Sequence, residues 1–167
     1  WQCGDIPTAI KVLHDGAART DDGETSAFLL CEAAMLATLL GDFEGAVHTS
    51  RTLLATFPTD PLILWNTTVN LGYAQVMRGS LDDVDQALGT ARAVYPSMRR
   101  EQPEGADFLA SLEIGAALLA GDLTSAASVA SSCITTLEAD GAPAGSAAAI
   151  AADTLLLAGD DRALTLA

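Results

Sequence analysis

Apolar residues recur at helical spacing along almost the whole chain, and short polar turns interrupt them at regular intervals. Ile6, Ala9, Ile10 and Leu13 mark one face of a first helix over about 5–19, which the polar run Asp21-Asp22-Gly23 closes. A second helix over about 24–40 is apolar almost all round, from Phe28 through Leu30, Ala33, Ala34 and Ala37, so neighbours must cover both of its sides. Further helices are predicted over about 42–57, 59–78, 80–95, 107–120, 122–138 and 145–158, with Gly141-Ala142-Pro143 turning between the last two. Trp65 is expected to anchor the central pair.

The turns carry a shared signature. Glycines at 4, 41, 79, 121 and 159 return at intervals of 37, 38, 42 and 38 residues. Glycine ends a helix because it enters the left-handed region without a Cβ penalty. The residue after it (Asp5, Asp42, Ser80, Asp122 or Asp160) can then accept from the free N–H groups of the next helix, an N-cap worth roughly 1 kcal/mol. In the first four copies an apolar residue stands two after the glycine (Ile6, Phe43, Leu81, Leu123) and a small one five after it (Ala9, Ala46, Val84, Ala126), which permits close helix crossing. Pro58 and Pro96, seventeen residues after their glycines, are expected to stop the second helix of their pairs. The interval of 42 implies a longer connector over 97–106, read as exposed and solvated.

Glycine, acid, apolar residue, small residue at plus five and proline at plus seventeen together resemble the tetratricopeptide (TPR) repeat. Leu71-Gly72 falls where TPR helices carry a large apolar residue followed by a small one, and the second copy has Ala33-Ala34 there. The copies diverge from the family: the period exceeds 34, Glu138 stands in place of the terminal proline, and Gly159 has alanine at plus four. The resemblance implies an all-α chain, a right-handed αα-superhelix of antiparallel hairpins forming an open solenoid with no β-sheet, over a single repeat domain spanning 1–167. Trp1-Gln2-Cys3 reads as the tail of a helix and the last helix as barely begun, so an excerpt from a longer protein is expected.

Composition sharpens this picture. Half the residues are apolar but only 5% aromatic, which suits closely stacked helices rather than a sheet. The net charge is −14, with Lys11 the only lysine and arginines paired only at Arg99-Arg100, so contact with nucleic acid or an anionic membrane is disfavoured. Three cysteines without a Cys-x-x-Cys pair point to a reducing, cytoplasmic setting. The longest weakly polar run, 141–159, is mostly alanine and is broken by Asp153, which argues against a membrane span.

Candidate chemistry is sparse. No glycine precedes the single lysine at phosphate-loop spacing and no Gly-x-Gly-x-x-Gly occurs, so no cofactor is expected. His14 and His48 fall on different repeats, which leaves no metal set. Asp82, Asp83 and Asp85 sit in a helix's first turn, where the macrodipole favours negative charge. No enzyme is read here. In a TPR-like stack the first helix of each pair lines the concave face, and counting back from Gly41 and Gly79 puts Phe28, Cys31, Met35, Asn66, Val69, Tyr73 and Met77 on that inner line. Its apolar lining suits a protein or peptide segment, or another domain of the same chain, and a homo-oligomer could form through the full-length protein. The long, alanine-rich, Gly-Asp-punctuated repeats are also similar in texture to the sensor arm of large LuxR-type (MalT-like) ATP-dependent bacterial transcriptional regulators. The resemblance implies an interaction and sensor scaffold in such a regulator; the alternative is a helical arm attached to a signalling enzyme such as a nucleotide cyclase or kinase.

Overall fold

A computed structural model describes residues 5–100, 102, 105–140 and 146–159, and the side chains of all of these except 136–140 and 146–148. It is all-helical, with α1 (Ile6–Ala17), α2 (Gly23–Leu39), α3 (Phe43–Thr56), α4 (Pro61–Arg78), α5 (Leu81–Met98), α6 (Gly105–Leu119), α7 (Leu123–Asp140) and α8 (Ser146–Leu157). The chain divides into two compact units, Trp1–Ser97 and Met98–Ala167.

Four of the five turn glycines are described, and all four are left-handed, with φ of 84° at Gly41, 77° at Gly79, 73° at Gly121 and 74° at Gly159. The fifth, Gly4, lies outside the described residues, as does Asp160. The turn works through one residue with two tasks. The Asp42 N–H donates back to the Ala37 carbonyl at 2.9 Å, closing α2, while its carboxylate accepts from the Gly45 N–H at 3.0 Å, opening α3. Asp122 does the same, donating to the Ala117 carbonyl at 2.9 Å and accepting from the Ser125 N–H at 3.0 Å. At Ser80 the N–H donates to the Gln75 carbonyl at 3.0 Å, and the hydroxyl donates to the Asp83 carboxylate at 2.9 Å. Two further caps face the other ends of the hairpins. Asp22 accepts from the Glu24 and Thr25 N–H groups to start α2, and Asp60 accepts from the Ile63 N–H at 2.8 Å to start α4, with Pro61 in its first turn. Hydroxyl and amide donors from Thr8, Thr25 and Ser125 hold the carboxyls of Asp5, Asp22 and Asp122 below the ordinary carboxylate value, so these caps are fully ionised at neutral pH.

The residues five after the glycine do allow close packing: Ala46, Val84 and Ala126 are buried, whereas Ala9 is half-buried. Pro58 follows α3 at once, but Pro96 does not stop its helix. α5 runs on to Met98, with proline inside its last turn. There a proline removes only one ladder bond, and the continuation buries Met98 to 2% exposure. The connector is therefore shorter than the spacing implied, because both flanking helices extend into it and α6 begins at a buried Gly105. Glu101, Pro103 and Glu104 within it lie outside the described residues, as does the turn at Gly141-Ala142-Pro143.

In the first unit α2 packs on α1, α3 and α4, and α3 packs on α4. Its core forms two layers. Ala27, Cys31, Leu53 and Ile63 share one; Ala37, Ala46, Val47 and Ala74 share the other, with Ile10 and Leu71 at its edge. Early α2 thus meets late α3 and early α4, while late α2 meets early α3 and late α4. It follows that α2 and α4 run parallel, with α3 antiparallel to both. Trp65 is 1% exposed, its ring centroid 5.3 Å from that of Tyr95 on α5. Ion pairs from Arg78 to Glu44 at 2.9 Å and from Arg51 to Asp83 at 3.3 Å lie at the surface and add little. In the second unit Ile114 of α6, Ala126, Ala130 and Ile134 of α7 and Ala151 and Leu155 of α8 form one core.

Candidate interaction face

Helices α2 and α4 meet along a seam of small and polar residues. The Cys31 thiol lies 2.9 Å from the Thr67 hydroxyl, and the Asn70 side-chain amide donates to the Cys31 carbonyl at 2.9 Å. That seam fixes the register. Cys31 lies level with 67–70, an offset of 36 to 39 residues that brackets the interval of 38 between Gly41 and Gly79. Repeat-equivalent residues are therefore side by side on the two helices.

The seven residues expected to line the inner face are four positions on α2 and α4 read at that interval, and at three of the four the burial repeats. Cys31 and its equivalent Val69 are both buried. They belong to the helix packing rather than to an open surface, because their position turns toward the seam or the core. Met35 and its equivalent Tyr73 are both half-buried. Phe28 is 43% exposed and its equivalent Asn66 half-buried. Met77 is 61% exposed. Its equivalent on α2 is Leu39, at 63% exposure, which sequence reasoning missed although it stands two before Gly41 as Met77 stands two before Gly79.

What results is a stripe of Phe28, Glu32, Met35 and Leu39 along α2, at spacings of four, three and four, beside a stripe of Asn66, Tyr73 and Met77 along α4. Glu32 was also missed. Burial pushes its carboxyl above the ordinary value, and no ion pair or hydrogen bond opposes that rise. From Phe28 to Leu39 it is the one charged residue of α2, and α4 has none from Pro61 to Met77.

Among the described residues, reactive chemistry has little to build on. Burial raises the thiols of Cys31 and Cys133, and nearby acids add to it, so neither is an activated nucleophile. Asp82 and Asp83 sit in the first turn of α5, and Asp83 already serves Ser80 and Arg51. His14 and His48 are exposed on separate helices. Among the described residues no group of three acidic, histidine or cysteine side chains is placed to hold a metal ion, and no helix is long and apolar enough to cross a membrane. Comparison of the chain with protein-family models, with curated proteins and with solved structures finds no match to any of them.

Proposed function

We propose that the chain is a TPR-like protein-interaction and sensor scaffold, its hairpins continuing one another as an open right-handed αα-superhelix, within a larger cytoplasmic transcriptional regulator of the LuxR type. The observation that carries the interaction reading is the exposed apolar stripe repeated in register on neighbouring parallel helices, with Leu39 and Met77 more than half exposed at equivalent positions. Such surface costs about 25 cal/mol for each Å² left in water, and a partner segment laid across it recovers that. The regulator assignment rests on the likeness of the repeats to such sensor arms. The binding partner is a protein segment or another domain of the same polypeptide, and the acidic surface opposes nucleic acid.

The test is capture of the remaining domains of the full-length protein by this chain, comparing the wild type with Met77→Asp at low and high salt. Met77 is exposed, so the substitution leaves the core intact. Capture should fall on the order of tenfold with Met77→Asp and persist at high salt, since screening weakens exposed charge pairs but not apolar contact. Capture that ignores Met77→Asp and vanishes with salt would contradict the apolar face. Captured domains that are a cyclase or kinase, rather than an ATPase and a helix-turn-helix, would contradict the regulator assignment while leaving the scaffold in place.

A further inference from the structure

The apolar stripe across α2 and α4 carries one charge, and its placement is costly. Glu32 stands on α2 one turn after Phe28 and just under one turn before Met35, in the middle of the apolar positions. Its side chain is half-buried and has neither an ion pair nor a hydrogen bond among the described residues. A glutamine, leucine or alanine would extend the helix equally well and avoid the cost of desolvating a carboxylate. Level with it across the seam is Asn70, whose side-chain amide donates one N–H to the Cys31 carbonyl at 2.9 Å. That bond turns the Asn70 amide toward α2 and leaves its oxygen as an acceptor. The Asn66 side chain, one turn earlier on α4, makes no hydrogen bond among the described residues. The face thus carries one carboxylate, Glu32, with the amide oxygens of Asn66 and Asn70 as further acceptors on the neighbouring helix, among the exposed apolar side chains Phe28, Leu39 and Met77.

We propose that this face docks a protein segment carrying a lysine or arginine between apolar side chains, the cation seated on Glu32 and the apolar groups on Phe28, Leu39 and Met77. This rests on the interaction reading above and names the partner's chemistry. Charge complementarity decides the occupant. No basic residue of α2 or α4 lies between Pro61 and Met77 or between Phe28 and Leu39 to accept an acidic partner, and the chain as a whole has a net charge of −14. An acidic or uncharged segment would leave Glu32 buried and unpaired beneath it, which is the more expensive arrangement. A cation there completes a partly desolvated pair, and arginine adds donors for the amide oxygens.

Selection on the chain from a displayed library of random peptides roughly fifteen residues long, about four helical turns, provides the probes. Selected peptides should share one Lys or Arg flanked by apolar residues. Each is then made in its selected form and with that base replaced by Gln, and measured against the wild type, Glu32→Gln and Glu24→Gln. Glu32→Gln should weaken the selected peptide about tenfold but its Gln form less than about twofold, while Glu24→Gln, an exposed acid at the start of the same helix, changes neither by more than about twofold. Met77→Asp should weaken both forms alike. Glu32→Gln is isosteric, and an unchanged melting curve checks that it folds. Peptides that bind Glu32→Gln as tightly as wild type, yet lose affinity to Met77→Asp, overturn the cation seat and leave the scaffold reading standing. Peptides indifferent to both substitutions, or a library that yields no binder, overturn both.

Discussion

Replacing Trp65 by alanine should lower the unfolding free energy of the first unit by about 3–5 kcal/mol, the usual cost of deleting a large buried aromatic side chain. Trp65 is 1% exposed, the largest side chain in the core, and its ring lies 5.3 Å from that of Tyr95. Two losses add: the apolar area returned to water, and the cavity that α4 and α5 must collapse around. Stacking against Tyr95 contributes a further part. Trp65→Phe keeps an aromatic ring and should lose much less. Urea melts followed by circular dichroism measure both. A loss below about 1 kcal/mol for Trp65→Ala would mean that α5 is not held on α4 by this contact.

The second large effect separates two leucines three residues apart on α2. Leu36→Ala should cost about 2–5 kcal/mol, because the residue is only 1% exposed. Leu39→Ala should fall within about 0.5 kcal/mol of the wild type, since Leu39 is 63% exposed and loses almost no buried area. Chemistry and helix propensity are the same at both sites, so the difference isolates burial. The comparison also bears on function, because Leu39 belongs to the exposed stripe while Leu36 belongs to the packing beneath it. Equal losses in the same melts would place Leu39 inside the core and remove it from the interaction face.

The residues whose structure could be read from sequence are those whose conformation is decided locally. Gly41, Gly79, Gly121 and Gly159 are left-handed because the helix end itself demands it, and Asp42 and Asp122 cap because the free N–H groups lie within reach of their own side chains. Asp22 and Asp60 cap by the same local rule, so α2 and α4 begin at Gly23 and Pro61, one and two residues from the starts at 24 and 59 that the apolar spacing predicts. Pro96 was misread for the opposite reason: its effect on the helix is local, but the burial of Met98 that outweighs it is tertiary.

The face was legible only in part. α2 is apolar around most of its circumference, so no stripe on it announces which side is open. Cys31 and Phe28 are equally good candidates until the position of α4 is known, and only the seam at Thr67 and Asn70 sends one inward and leaves the other exposed. Glu32 is not legible from an apolar lining, because an acid does not belong to that pattern. Met77 was found because it was read at the repeat interval, and the same count from Gly41 reaches Leu39.

The parallel register of α2 and α4 underlies both the repeat and the face, and a single cross-link tests it. With Cys3 and Cys133 replaced by serine, the substitution Thr67→Cys brings a second thiol to a position now 2.9 Å from the Cys31 sulfur, within easy adjustment of disulfide geometry. Mild oxidation should join Cys31 to the new cysteine rapidly and nearly completely in the folded chain, with helical circular dichroism unchanged. The same chain with Thr90→Cys in place of Thr67→Cys puts the second thiol on α5, and it should remain unbridged. No bond at position 67, or bonding at 90 as fast as at 67, would contradict the register, and with it the side-by-side placement of equivalent residues on which the interaction face depends.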